Sequence, residues 1–388
     1  ALKDELAGRK PFGEWTARTT RIDEIVKADT AEPTLYQGEQ LRRRQLAIGT
    51  TMEELETILQ PMIEDGAAMC EFYAWFEAAL ISAQNGGESI TELTIDERLS
   101  AARAKRSGFV GLSFSTIAGF NANGAMPHYR ATAESHAAIA GDGLLLIDSG
   151  GQYLGGTTDI TRVWPIGSVS PAMQRDYTLV LKGTMQLSRA KFPRGTLGPM
   201  LDALARAPLW QQGIEFGHGT GHGVGYFLAV HEGPHSISKT IPDANMAMEP
   251  GMITSIEPGV YRAGQWGVRI ENLVLTVPAH TPEGDTFAEF LEFETLTMCP
   301  IDTRCIARAL LRDDEVAWLN DYHATVRQRL APRVSGAALP SILIAQNKAF
   351  TAARERRASF EIGQASRHPT DGFDMRNFGD PRYIGWGG

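Results

Sequence analysis

The chain has few of the residues that would place it in several large classes of protein. Only three of its 388 residues are cysteines, Cys70, Cys299 and Cys305, and they form no Cys-x-x-Cys pair. A disulfide framework or a cysteine-ligated zinc site is therefore not indicated, and the cysteine content predicts a reducing, cytoplasmic compartment.

Long apolar runs and an excess of positive charge are also missing. No run approaches the ~18 apolar residues of a membrane span, and the opening ALKDELAGRK shows no apolar signal region. The formal net charge is -9 and the pI is about 5.6, which argues against a nucleic-acid-binding surface as the main function. We therefore expect neither a membrane nor a nucleic acid as a partner.

The common nucleophile and phosphate motifs are absent as well. There is no Gly-x-Ser-x-Gly sequence, and the glycine-rich stretch at 219–225, GTGHGVG, lacks the lysine and the strand–helix context of a phosphate-binding loop. The chain contains instead a set of acids and histidines beside short β-type runs.

The first acidic pair lies in the stretch 144–164, which predicts a β-hairpin. Leu144–Asp148 is an apolar run that ends in an acid, Ser149–Gly156 is rich in glycine, and Thr157–Val163 has β-branched residues in alternation. If the two strands pair, Asp148 and Asp159 converge, and two packed acids are tolerated when a cation lies between them. The alternative for either acid alone is a turn residue facing water.

Histidines cluster further along. His218 and His222 are four residues apart in a glycine-rich stretch, and His231 follows nine residues later, so the three histidines are expected to share a polar site. His128 stands alone after Pro127, where a surface or packing role is the alternative.

A second acidic hairpin is predicted from Met252–Glu257 and Gly267–Thr276. Within its return strand, Arg269 and Glu271 are two residues apart and therefore face the same side. In isolation they could form a structural ion pair. Together with Glu257 they complete a second set of acids.

Four carboxylates and one imidazole suggest a metal site. The candidate ligands are Asp148, Asp159, Glu257, Glu271 and His222. This set suits Mn²⁺, Co²⁺, Fe²⁺ or Zn²⁺, and its many carboxylates favour two ions with shared acids. Two such ions ~3.5–4 Å apart can hold a bridging water as hydroxide and polarise a carbonyl, which suits amide hydrolysis. Imidazoles nearby could orient the substrate and transfer protons.

From about Asp65 to Arg329 the chain resembles the catalytic domain of the Xaa-Pro aminopeptidase (aminopeptidase P) family. The matching motifs are SFSTIAGFNANGAMPHY, LLIDSGGQYLGGTTDITR, HGTGHGVGYFLAVHEGP, TSIEPGVY, VRIENLVL, FETLTMCPID and WLNDYH. The resemblance implies an α+β pita-bread fold, in which two αβ halves enclose a curved antiparallel sheet.

The resemblance also implies roles for individual residues. Asp148 would chelate one ion, His222 and Glu257 the other, and Asp159 and Glu271 would bridge the two. His128, His218 and His231 match positions that bind substrate and handle protons, and Glu257 is counted with them as catalytic. Arg269 and Tyr261 match groups that hydrogen-bond around the chelating aspartate. The ions would be two divalent cations, most often Mn²⁺ in this family, with Zn²⁺ and Co²⁺ as alternatives.

The expected activity is removal of an N-terminal residue from peptides with proline in second position. One alternative is a non-catalytic module that binds peptides or partners in the same cleft. Others are a prolidase-like or methionyl-aminopeptidase-like hydrolase and, less favoured because the ligand set is intact, a metal-free creatinase-type enzyme. A homodimer is left open.

Helices are predicted on both sides of the first hairpin. Thr51 and Glu54 form a capping-box pattern at the start of the first one. The predicted helices cover Thr50–Glu64, Thr94–Arg106, Ala172–Ala190 and Leu197–Gln212, and a helical apolar pattern runs from Met69 to Phe76.

The two ends of the chain depart from this family. Residues 1–66 resemble a segment of the glutamate synthase large subunit without its catalytic residues, and the two domains that precede the catalytic domain in long aminopeptidases are not recognisable. The sequence thus predicts a non-catalytic segment over 1–66, the metallopeptidase domain over 67–334 and an unassigned extension over 335–388, as in a chimeric chain.

Overall fold

The computed structural model describes residues 52–240 and 246–335. Most of the glutamate-synthase-like segment, the proposed helix cap at Thr51 and the C-terminal extension beyond Ser335 lie outside the described residues. The division into three domains and the chimeric origin therefore stay predictions.

A single long helix, α1 (Met52–Gln84), opens the described part of the chain. The sequence predicted one helix over Thr50–Glu64 and a helical pattern through Phe76, and the structure joins the two across position 66, the predicted domain boundary. Met69, Tyr73 and Phe76 recur on one face of α1 and are fully buried in the first core cluster. The second helix, α2 (Glu92–Ala104), begins with a capping box between Thr91 and Thr94, two residues before the predicted start.

The two strands of the first predicted hairpin belong to a three-stranded antiparallel sheet, in which the first of them is central. The strands of this part are β1 (Phe109–Leu112), β2 (Ile117–Phe120), β3 (Gly143–Ser149), β4 (Gly151–Tyr153), β5 (Gly156–Thr157) and β6 (Ile160–Ile166). The main sheet has the order β2-β3-β6, and β1, β4 and β5 form a smaller one. Because every residue of β3 is buried, its sequence is continuously apolar up to the acid instead of alternating. Asp148 lies opposite Thr161 in the β3–β6 register.

Two helices follow, as the sequence predicted. They are α3 (Pro171–Ser188) and α4 (Gly198–Trp210), separated by the short strand β7 (Lys191–Pro193). Ser170 caps α3 by accepting a hydrogen bond from the Met173 amide, and Pro171 occupies the first helical position, where its missing N–H costs nothing.

The remaining strands build the second half of the core. They are β8 (Gly221–His222), β9 (Ser236–Ile237), β10 (Ile253–Ile256), β11 (Gly259–Arg262), β12 (Trp266–Arg269), β13 (Asn272–Pro278) and β14 (Phe290–Thr295). A four-stranded antiparallel sheet has the order β10-β13-β14-β7, while β11 and β12 form a hairpin of their own. A short helix α5 (Gly284–Phe287) precedes β14, a 3-10 turn covers Arg308–Leu310, and α6 (Asp313–Leu330) closes the described residues.

The second predicted hairpin forms, but its return strand is interrupted. β12 ends at Arg269 and β13 begins at Asn272, so the chain passes from one sheet to another at Ile270 and Glu271. At this break the Glu271 backbone forms hydrogen bonds to residues of β6. Its amide donates to the Thr161 carbonyl at 3.2 Å, and its carbonyl accepts from the Arg162 side chain at 2.5 Å. The mixture of helices and antiparallel sheets is the predicted α+β class. Among the helices of residues 52–240 and 246–335, none has both the length and the apolar character to cross a bilayer.

Candidate metal centre and substrate cavity

The two acidic hairpins and the histidine-rich loop meet at one cavity of about 320 Å³. Nine of the ten predicted site residues line it: His128, Asp148, Asp159, His218, His222, His231, Glu257, Arg269 and Glu271. The tenth, Tyr261, lies just behind the wall and contacts two of these side chains. The structure thus brings together residues that are up to 143 positions apart.

Three of the predicted ligands form a compact cluster. One ligand atom each from Asp159, His222 and Glu271 lies within 4.8 Å of the others. The His222 Nε2 atom is 3.5 Å from Asp159 Oδ2 and 3.4 Å from Glu257 Oε1. Asp148 is the second-last residue of β3 and Asp159 immediately precedes β6, and both acids line the cavity, as the predicted hairpin requires.

The ring of His222 presents a lone pair to these acids. Its Nδ1 lies 3.0 Å from the Gly223 carbonyl, so in the neutral ring Nδ1–H donates there and Nε2 carries no proton. An acceptor nitrogen facing two carboxylates is unfavourable unless the ring is protonated or a cation lies between the groups. The geometry fits a metal ligand in the tautomer that leaves Nε2 available to an ion.

The carboxylates of Asp148 and Glu271 each have one oxygen that accepts a hydrogen bond and one that accepts none from the described residues. Arg269 Nη2 donates to Asp148 Oδ2 at 2.5 Å, and the Thr161 hydroxyl donates to Glu271 Oε2 at 2.8 Å. Their other oxygens, and Asp159 Oδ1, are buried without a hydrogen-bond partner among the described residues. Buried acceptors of this kind require a donor or a cation.

Burial and the nearby negative charges also raise the pKa values of three carboxyl groups at this site. Burial first, and the charge of Asp148 second, raise the pKa of Asp159 well above its usual range. Burial and then Asp159 do the same to the pKa of Glu271. Burial also raises the pKa of Glu257. The open oxygens, the excess negative charge and the lone pair of His222 all fit divalent cations.

A hydrogen-bonded chain links the arginine to one histidine. Arg269 Nη1 donates to the Tyr261 hydroxyl at 2.6 Å, and that hydroxyl donates to His218 Nε2 at 2.8 Å. The other ring nitrogen of His218 lies 2.7 Å from the Gly219 carbonyl, which fixes the neutral tautomer. Burial lowers the pKa of His218 to about 4 and raises the pKa of Tyr261 to about 12, so both groups stay neutral near pH 7.

The other two histidines occupy more open positions. His231 lies edge-on to His222 with ring centroids 4.3 Å apart, and burial followed by the charge of His222 lowers the pKa of His231. His128 is exposed at the cavity rim. Tyr261, expected beside the chelating aspartate, contacts Arg269 and His218, and Arg269 alone makes the direct bond to Asp148.

Sequence reasoning missed several groups around the site. The Thr161 hydroxyl accepts from Arg269 Nε at 3.1 Å while it donates to Glu271, so it connects two charged groups. Thr161 is two residues after Asp159 and therefore on the same face of the predicted strand Thr157–Val163, a signal that was present in the sequence. Ser255 accepts from the His222 amide at 2.9 Å and donates to Glu257 at 3.1 Å. Phe114, Ile117 and Pro127 line the cavity without a sequence signal that distinguishes them from core residues.

A family model matches the chain over the segment that holds this site. Residues 56–278 match metallopeptidase family M24, and residues 289–343 match the C-terminal region of peptidase M24. These matches cover both acidic hairpins and the histidine-rich loop.

Related proteins agree with the family match. "Probable Xaa-Pro aminopeptidase P" of Laccaria bicolor is 44% identical over 283 residues, which are 73% of this chain and 44% of that protein. The protein of the same name from Coprinopsis cinerea is 44% identical over 279 residues, 72% of this chain and 44% of its own length. The chain therefore spans less than half the length of these curated relatives.

Solved structures share the fold. An X-prolyl aminopeptidase of Caenorhabditis elegans, described as a cytosolic enzyme with a di-nuclear active site, superposes with a TM-score of 0.70 and 35% identity, over 79% of this chain and 49% of that one. An X-Pro aminopeptidase from Thermotoga maritima gives a TM-score of 0.50 at 27% identity, over 67% of this chain and 64% of that one. The pita-bread fold expected from the sequence is confirmed.

Proposed function

Because the chain belongs to metallopeptidase family M24, we propose that it is a metal-dependent aminopeptidase that hydrolyses the N-terminal Xaa-Pro bond of peptides. The observation that carries the proposal is the cluster in which His222 Nε2 faces two carboxylates while three buried carboxylate oxygens have no partner in the described chain. The substrate class is taken from the names of the relatives, which share this segment at 44% identity.

Two divalent ions, Mn²⁺ by preference, would be held by the predicted ligand set. Asp148 would bind one ion, His222 and Glu257 the other, and Asp159 and Glu271 would be shared. Bound there, the ions would lower the pKa of a water and polarise the scissile carbonyl. A di-nuclear site in the C. elegans neighbour supports the count of two.

The side chains around the cluster would supply proton transfer and orientation. Glu257, which lines the cavity, would take up a proton from the attacking water and pass it on. His231 would stabilise the tetrahedral intermediate by donating a hydrogen bond from its neutral ring to the developing oxyanion. The prolyl nitrogen must be protonated as the bond breaks, and His128 and Glu257, which both line the cavity, would be the candidate donors for this step.

Arg269 and His218 would act on orientation and not on proton transfer. Arg269 fixes Asp148 Oδ2 and leaves Oδ1 open, which determines the oxygen available to a cation. His218 has both ring nitrogens committed, to Tyr261 and to Gly219, and its low pKa keeps it uncharged. The proposal includes a cytoplasmic location, since the C. elegans neighbour is described as a cytosolic enzyme, and a homodimer.

The proposal is tested with metal-stripped protein and a short Xaa-Pro peptide, with and without added Mn²⁺. We expect release of the first residue only when metal is present, and none from a Glu271→Ala variant. The matched control is Glu294→Ala, which removes a half-buried glutamate whose pKa burial also raises but which lies on β14 outside the cavity.

Metal analysis of the same samples separates the possible failures. Two ions per chain without turnover would contradict the catalytic proposal and favour a peptide-binding module. Turnover that is equal in the Glu271→Ala variant would show that these ligands do not form the active centre. Zn²⁺ and Co²⁺ in parallel samples identify the preferred ion.

A further inference from the structure

The segment between β2 and β3 carries His128 to the cavity rim almost without regular structure. A 3-10 turn covers Asn121–Ala125, and the chain from Met126 to Asp142 contains neither helix nor strand. His128 is exposed, and no hydrogen bond joins its ring to another described residue. Its place at the rim must therefore be set by the residues beside it in the chain.

The next residue, Tyr129, is firmly held. Its side chain is buried, and its hydroxyl lies 2.8 Å from Glu92 Oε2 and 2.8 Å from the Ser135 carbonyl, so one proton serves two acceptors. The same hydroxyl accepts a hydrogen bond from Asn123 Nδ2 at 3.0 Å. A bond to a charged acceptor is about twice as strong as one between neutral groups.

Glu92 is a buried acid that binds this segment at both ends. It is the first residue of α2 and has no exposed surface. Its carboxylate accepts from the Phe120 amide at 2.6 Å and from the Ala137 amide at 2.8 Å, as well as from Asn123 and Tyr129. None of these four partners is a cation. The helix N-terminus and the converging donors stabilise the charge instead.

The opposite side of the segment rests against the metal-ligand wall. Arg269 Nη2, which also binds Asp148, approaches the Pro127 carbonyl at 3.4 Å. The backbones touch at Gly267 and Gly124, since a Cβ on Gly267 would lie 1.7 Å from the Gly124 carbonyl oxygen. His128 is thus next to a residue pinned by Glu92 and next to a carbonyl that faces the site arginine.

From this geometry we propose that Glu92, through the Tyr129 hydroxyl, is a positioning residue that fixes His128 where its imidazole meets the bound peptide. The inference rests on the proposed peptidase function and adds to it two residues, Glu92 and Tyr129, that do not line the cavity. His128 contacts the substrate, whereas Glu92 and Tyr129 act through His128.

The kinetic test removes only the hydroxyl, with Tyr129→Phe. We expect kcat/KM for an Xaa-Pro peptide to fall about tenfold, because small misplacements of a substrate-contacting group cost one to two orders of magnitude. In a His128→Ala background the same substitution should cause no further fall. An equal loss in both backgrounds would overturn the proposal, since a purely structural role of Tyr129 does not depend on His128.

A matched control is Tyr177→Phe. Tyr177 lies on α3, outside the cavity, and is fully buried. Its hydroxyl donates to the Asp302 carbonyl at 2.7 Å. This variant should leave kcat/KM unchanged in both backgrounds. A fall equal to that of Tyr129→Phe would show that loss of any buried hydroxyl has the same effect, and would contradict a specific link to His128.

A second measurement does not require activity. Histidine ring resonances of labelled protein, with His128 assigned from the His128→Ala variant, report its environment among the nine histidines. We expect the His128 signal to shift or broaden in Tyr129→Phe and in Glu92→Gln but not in Tyr177→Phe. An unchanged His128 signal in Tyr129→Phe would overturn the positioning role. A parent protein without turnover would contradict the proposed function alone.

Discussion

In the metal-free protein, Glu271→Gln should raise stability while it removes the response to metal. The substitution keeps the shape of the side chain and its bond from Thr161, but it deletes a charge in a crowded acidic site. Burial first and the charge of Asp159 second raise the pKa of Glu271, so the ionised form is disfavoured on both counts. The new amide can also donate to Asp159, whose Oδ1 has no partner among the described residues.

The magnitude follows from the separation of the charges. Ligand atoms of Asp159 and Glu271 lie within 4.8 Å of each other, and two like charges at that distance repel by about 3 kcal/mol at an effective dielectric constant of about 20. Partial protonation already relieves part of this repulsion in the parent. We therefore expect the free energy of unfolding to rise by about 2 kcal/mol at pH 8, which corresponds to about 4–8 °C in Tm.

The pH dependence has a definite sign. A carboxyl whose pKa is raised by folding binds more protons in the folded state than in the unfolded state, where its pKa is about 4.3. Its contribution to stability is fully present below that value and is lost as the pH rises through the folded pKa. The contribution of Glu271 to the stability of the metal-free parent should thus be lost from about pH 4.3 upward, so the stability gained by Glu271→Gln over the parent should grow as the pH rises.

The assay is urea unfolding of chelator-treated protein, followed by tryptophan fluorescence from pH 4 to 8, and repeated with excess Mn²⁺. Bound metal should stabilise the parent by about 2.7 kcal/mol at one hundred times the dissociation constant, and Glu271→Gln should lose most of this gain. Glu294→Gln should keep the full metal response. Metal-free Glu271→Gln protein that is less stable than the parent at pH 8 would refute the repulsion argument, and an undiminished metal response would refute the ligand assignment.

Three further outcomes are expected. Thr161→Val should lower the free energy of unfolding by about 1–3 kcal/mol, because Glu271 loses a buried donor, and Thr161→Ser should restore it in a urea titration. Asp65→Asn should destabilise by about 3–5 kcal/mol in the same assay, because Arg103, fully buried and 2.5 Å away, loses its counter-charge. A loss of stability in Asp65→Asn no larger than that from breaking an exposed ion pair would contradict this. Burial lowers the pKa of folded His218 to about 4, so the contribution of His218 to stability should be lost as the pH drops from about 6.5 towards 4. His218→Asn should therefore gain stability relative to the parent over that range, and a difference between the two that does not change with pH would exclude this role of His218.

Local sequence patterns predicted much of the fold and of the candidate ligand set. The apolar run before Asp148, the glycine turn and the β-branched return strand predicted a hairpin, and β3 and β6 form it. Alternation placed Arg269 and Glu271 on one face, and both line the cavity. These features depend on neighbours in sequence, so they could be found without the tertiary structure.

Other features depend on residues distant in the chain. The interruption of the return strand at Glu271 is not visible in the alternation of VRIENLVL, because it arises where Arg162, 109 positions earlier, binds the Glu271 carbonyl. The role of Glu92 likewise rests on the loop that carries Tyr129, 37 positions later. A sequence pattern cannot specify which of many donors will meet a given acceptor.

The sequence by itself determined which residue types gather at this site: four carboxylates, a candidate ligand histidine and three further histidines in strand and loop contexts that suit a metal centre. Only the tertiary structure decided which oxygen of each acid is held and which is left open, as at Asp148, where Arg269 takes Oδ2. The physical reason is that ligand identity is a local chemical property. The orientation of a buried carboxylate is instead set by hydrogen bonds across 100 or more residues, 121 of them in the case of Arg269 and Asp148.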